Sequence, residues 1–284
     1  MVRLDAATVL LQWATGGLLF LWVTTRRREV GIGYGWLMRG SYLVIAACAF
    51  AVGVAFDPSP VRETASLLVV LAAGAALAVS VVRRKAGVRG EWERSSRRSA
   101  RVAAMTGIDR AATTVDTSVA EFPPVLDLLA PVVGFVGLVA AGVHAGGPHV
   151  LAVVRTLAGA VFLGAVTDAM LLGHWYLVQP GLGRAPLEEL NRWVAWTWPV
   201  EVGALLWPTG MLSVLNGSVD DGWNGTLGWF WVACAVTTLV LVFVTRAALK
   251  ERYYSAVMAA TGLLYLAILT AFGTDLVARA VLTG

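Results

Sequence analysis

Residues 168–201, DAMLLGHWYLVQPGLGRAPLEELNRWVAWTWPVE, decide how the chain is read. One apolar run ends near His174 and another begins near Trp193, and each is long enough to cross a bilayer as a helix. The connection, about 177–192, has room only for a turn and one or two turns of interfacial helix, with Leu187 and Leu190 toward lipid. The stretch therefore reads as a membrane hairpin. It also holds the best-placed ionisable side chains of the chain: Asp168 and His174 going in, Arg184 and Arg192 in the connection, Glu201 coming back.

Outward from this hairpin the same pattern repeats. The 284 residues are 58% hydrophobic and only 14% charged, whereas a soluble domain carries about 25% charged residues. The apolar blocks do not alternate as barrel strands would. Lipid offers no partner to an unpaired peptide group, so the blocks must be helices. About eight spans are expected, near 6–24, 36–56, 65–82, 125–143, 150–176, 193–214, 226–245 and 256–280. The fold class is all-α: a polytopic integral membrane helix bundle forming a single transmembrane domain over 1–284. Arg26, Arg27 and Arg28 follow the first apolar run rather than precede it, so that run reads as a retained span and not a signal peptide.

Most of the 22 Lys and Arg residues fall in alternate linkers: 26–39, 83–110, 184–192 and 246–252. The positive-inside rule puts these linkers in the cytoplasm and both termini outside. The preference for Arg over Lys suggests a GC-rich bacterial genome, and hence a multi-pass protein of the bacterial cytoplasmic membrane. The basic segment 83–124 reads as a solvated inner loop with a thin apolar stripe at Val102, Met105 and Ile108. It would rest on anionic lipid, at about 1 kcal/mol per nearby cation, or dock a partner subunit of a membrane complex. Aromatic residues do not interleave with its cations, which argues against nucleic acid as a partner.

Small residues mark close helix contacts, Gly16-Gly17 first among them. Arg39 is expected to snorkel to the interface, and Asp275 to stand opposite Arg155. Cys48 and Cys234 read as packing residues. His144 and His149 lack a third ligand nearby, so no metal site is expected.

The carboxylates carry the functional reading. Asp168 shares its helical face with Gly164 and Ala165 and should point into the bundle. With helix boundaries at His174 and Trp193, Asp168 and Glu201 lie about 9 and 12 Å inside the same surface, on adjoining helices. A charge at mid-bilayer costs about 2.5–3.5 kcal/mol or more, so each must find a partner, meet water or hold a proton. With His174, Trp196, Trp198 and Tyr265 they would outline an inner-leaflet polar pocket. A flat apolar slot with a proton-relaying acid is what a quinone requires, and Arg184 and Arg192 would hold an anionic group. Haem is disfavoured as a cofactor, because His174 is the only histidine at that end. The expectation is a redox-associated or quinone-binding membrane subunit. The alternatives are a proton-coupled small-molecule transporter, and a structural or assembly subunit without chemistry of its own. Nothing in the sequence decides whether the chain is an enzyme.

Overall fold

The structure, a computed structural model, describes residues 5–106, 120–179 and 181–282. The described elements are helices: α1 (Ala6–Thr25), α2 (Ile32–Phe56), α3 (Pro60–Val82), α4 (Arg89–Thr106), α5 (Leu129–His144), α6 (His149–Val178), α7 (Ala185–Leu206), α8 (Gly210–Leu215), α9 (Thr226–Lys250) and α10 (Tyr254–Val281). Seven of the described segments are long and apolar enough to cross a membrane: α1, α2, α3, the unit Pro124–His144, α6, α9 and α10. The chain is therefore a multi-pass helical membrane protein.

The segment expected as a span at 193–214 takes a different form. Its helix, α7, starts at Ala185 because Pro186 is tolerated in a first turn. The helix ends at Leu206, ahead of Trp207 and Pro208, and α8 follows as a separate short piece. Leu187 and Leu190 are buried in the core rather than turned to lipid. Although its first half is polar, α7 runs the length of the bundle. Glu189 meets Arg26 and Arg27 at one end, at 2.6 and 2.5 Å, and the carbonyl of Ala204 meets Arg155 at the other.

The basic segment also departs from a simple loop. Its residues 89–106 form α4, in which Arg89 and Glu93 pair one turn apart at 2.9 Å. Residues 107–119, with Ile108, and the side chain of Val102 lie outside the described residues.

The basic connections gather at one end of the bundle. The Gly31 amide donates to Gln179 Oε1 at 3.0 Å, Arg28 pairs with Glu121 at 3.1 Å, and the Gly90 amide donates to the Arg28 carbonyl at 3.1 Å. Arg184 donates to the carbonyls of Leu249, Glu251 and Tyr253 and so caps the end of α9. A helix terminus leaves its last carbonyls without intrahelical donors, and a guanidinium fork is well suited to several at once.

Arg39 does not snorkel. It is 2% exposed and grips Asp127 with two bonds, Nε to Oδ1 at 2.7 Å and Nη2 to Oδ2 at 2.8 Å, while its guanidinium lies 4.1 Å from the centre of the Phe122 ring. A 3-10 turn at Pro124–Leu128 carries Asp127 inward to meet it.

Helix α1 lies at the centre, packed on α2, α5 and α6. Its glycine pair sets two distances. Gly16 lies against Ala160 and Gly164 of α6 so closely that a Cβ would meet their backbone, and a Cβ on Gly17 would overlap the ring of Tyr42. The small residues at this crossing thus let α1 touch α6 and also make room for a tyrosine between them.

Candidate functional site

Tyr42 fills that room. It projects from the buried stripe of α2 formed by Met38, Tyr42, Ala46 and Ala49, and it is 1% exposed. Its hydroxyl donates to Asp168 Oδ1 of α6. Asp168 is fully buried, as expected, and its second oxygen, Oδ2, has no donor. The preceding residue, Thr167, accepts from the indole of Trp13 at 3.0 Å, which ties α6 to α1. Tyr34, also fully buried, lies about two turns earlier on the same stripe of α2, with its ring against Trp175, the centres 5.8 Å apart. This acid–phenol pair in the middle of a membrane bundle is the first candidate site.

Glu201 is not part of it. The expectation that Asp168 and Glu201 meet at a common level fails because α7 starts eight residues before Trp193. Asp168 stands ten residues before the end of α6, whereas Glu201 stands sixteen after the start of α7. The difference of six residues separates their levels by about 9 Å along the helices. Their faces differ as well, since Asp168 turns to α2 and Glu201 to α10.

The remaining expected residues are dispersed. His174 and Tyr265 do come together, with Nδ1 and the hydroxyl 3.1 Å apart, but on the outer wall where α6 meets α10. Trp196 is 72% exposed on another wall, beside the exposed Arg192. Trp198 donates to the carbonyl of Ala235 at 2.9 Å and so ties α7 to α9. Arg184 is occupied by the carbonyls that it caps. The slot expected between Asp168, Glu201, His174, Trp196, Trp198 and Tyr265 therefore does not form.

Glu201 belongs instead to a polar layer near the end opposite the basic connections. Arg155 donates to the carbonyls of Ala204 and Trp207, at 2.9 and 2.7 Å, where α7 ends. It does not pair with Asp275 as expected, because Arg279 of α10 holds Asp275 Oδ2 at 2.7 Å. Gln12 of α1 reaches into the same layer and donates to the carbonyl of Thr156 at 2.6 Å. Next to this layer, Arg62 joins Asp5, Glu63 and the carbonyl of Asp57. Sequence reading missed Tyr42 and Gln12. The recurrence of Met38, Tyr42, Ala46 and Ala49 along α2 was the available signal for the first, whereas a lone Gln within an apolar run announces no particular partner.

Among the described residues, no three His, Cys, Asp or Glu side chains converge as metal ligands. His144 lies 3.6 Å from Asp57 at the opposite end. Comparison of the chain with protein-family models, with curated proteins and with solved structures finds no match.

Proposed function

We propose that this protein handles protons inside the membrane, either as a proton-coupled carrier or as the proton-relaying subunit of a redox complex. The observation that carries this reading is the Tyr42–Asp168 pair. A phenol and a carboxyl group, both buried, share one hydrogen bond, and one carboxyl oxygen is left without a donor. A carboxyl group in an apolar interior exchanges between a form that only accepts and a form that also donates, and an adjoining hydroxyl that can turn provides the route. A pair whose only task was to tie helices together would gain nothing from an unsatisfied oxygen, which is costly when buried.

The test is the number of protons that the purified protein takes up between two pH values, read with an indicator dye. Asp168→Asn should take up fewer protons than the wild type, and Tyr42→Phe should move the pH at which uptake occurs. Identical uptake by all three would remove the proposal. On the positive-inside rule, this reading places the basic end in the cytoplasm of a bacterial cell, with α7 as an eighth crossing and α4 against anionic lipid or a partner subunit.

A second reading, quinone docking, is favoured by one observation. His174 and Tyr265 present two polar groups side by side on the outer wall, where a lipid-soluble headgroup arrives laterally. Loss of quinone-analogue binding in Tyr265→Phe and His174→Leu, with proton uptake unchanged, would assign binding to that wall.

A further inference from the structure

The polar layer around Glu201 contains acceptors that outnumber their donors. Glu201 is fully buried, and neither of its oxygens receives a hydrogen bond. Asp275 is fully buried, with Oδ2 satisfied by Arg279 and Oδ1 unsatisfied. Gln12 Oε1 is unsatisfied too.

These atoms lie at one level. Arg155 of α6 bonds to Ala204 of α7, and moving one turn inward along both helices reaches Gly159 and Glu201. Gly159 is the floor of the site. A Cβ there would stand 2.6 Å from Asp275 Oδ1 and 2.8 Å from Gln12 Nε2, so the two side chains occupy the place a larger residue would fill. Asp275, Arg279 and Arg155 are the charged groups that Glu201 feels. Gln12 from α1 adds no charge, and Trp231 from α9, whose buried indole N–H has no acceptor, belongs to the apolar cluster beside the layer.

The donor sets decide what this site holds. The positive charges of Arg155 and Arg279 already match two carboxylates, so a metal cation is not required for neutrality. Hard cations also take six or more oxygens, and fewer converge here. What the oxygens of Glu201 and Asp275 Oδ1 do not receive is a hydrogen bond, and one proton provides it. We propose that Glu201 and Asp275 form a proton-binding site at this end of the bundle, one proton on Glu201 being donated to Asp275 Oδ1. The proton is taken from water and returned to it, with no other bond made or broken.

A small cavity at this end is lined by Asp5, Asp57, Arg62, His144, Thr156 and Arg279. Asp57 and His144 stand partly exposed at its mouth. Arg279 lines this cavity and also holds Asp275, and Thr156 lines it and also receives Gln12. Exchange thus occurs from the end opposite the basic connections. This site extends the proton-handling reading but is independent of Asp168.

Infrared spectroscopy of the full chain in nanodiscs tests it, through the carbonyl stretch of a protonated carboxyl group at neutral pH. The wild type should show such a band. It should lose intensity in Glu201→Gln, whose amide donates in place of the acid. It should also lose intensity in Asp275→Asn, whose amide donates to Glu201 and removes the need for the proton. In an Asp168→Asn background, which removes the other buried acid, both losses should be unchanged, and this separates failure here from failure of the Asp168 assignment. A wild type without the band overturns the proposal, and so does a band of undiminished intensity in whichever of the two variants folds.

Discussion

Gly17→Ala tests the geometry on which the acid–phenol pair rests. A methyl group at this position would land within the ring of Tyr42. Overpacking of a filled core costs about 1–3 kcal/mol. The ring can yield only by withdrawing its hydroxyl from Asp168, and a buried polar group left without its partner costs about 1–3 kcal/mol more. The expected loss of stability is therefore about 2–6 kcal/mol, well above the 0.5–1 kcal/mol or so gained by replacing a helical glycine with alanine. Gly203 provides the control, because a Cβ there meets nothing within 4 Å and only the favourable helical component should remain. Reversible unfolding in mixed detergent, followed by helical circular dichroism, reads both variants. In a Tyr42→Phe background the hydrogen bond is already gone, so Gly17→Ala should cost about 1–3 kcal/mol less than in the wild type. A Gly17→Ala protein as stable as Gly203→Ala would refute the reasoning, since Tyr42 would then not be wedged between α1 and Asp168.

Removing one partner of the buried Arg39–Asp127 pair, by Arg39→Met or Asp127→Leu, should cost about 3–5 kcal/mol, while the double variant should be far closer to the wild type; denaturant titration of the three variants checks this. Arg184→Gln should free the carbonyls at the end of α9, seen as faster amide exchange near residues 249–254 and little change elsewhere. In the loop before α9, desolvation raises the Asp221 carboxyl, but the amides of Trp223, Gly225, Gly228 and Leu227 outweigh it and hold the group below the usual carboxylate range. The ordering that Asp221 confers is therefore fully present above the ordinary aspartate value of about 3.9 and is lost as pH falls through the lower folded value. Exchange protection at Gly225, Leu227 and Gly228 should persist to about that pH and collapse below it, and Asp221→Asn should weaken protection at neutral pH.

The spans were legible because membrane burial imposes a long apolar run, and α1, α6 and α10 fall within a few residues of expectation. A helix was expected to start near Pro186, but its continuity with the following span as one helix was obscured because Glu188, Glu189 and Arg192 resemble a solvated connection, whereas Glu189 is buried against Arg26 and Arg27. That displacement of eight residues is worth about 12 Å of helix, enough to turn two carboxylates expected in one pocket into members of two sites. Burial of Asp168 and Glu201 could be read from the cost of a charge in lipid. Their partners could not, because Tyr42 and Asp275 come from helices remote in sequence whose rotation only packing determines. Arg39 shows the same limit: its position near a span end suggested the interface, yet Asp127, delivered by a turn 88 residues on, draws it inside.

Carbon-13 chemical shifts of labelled tyrosine rings, with Tyr42 assigned by its loss in Tyr42→Phe, test the central claim most directly. The Tyr42 signal should move with pH as Asp168 gains and loses its proton, and it should become insensitive to pH in Asp168→Asn. A Tyr42 signal that stays fixed across the pH range in which the folded wild type takes up protons would contradict the assignment of proton handling to this pair.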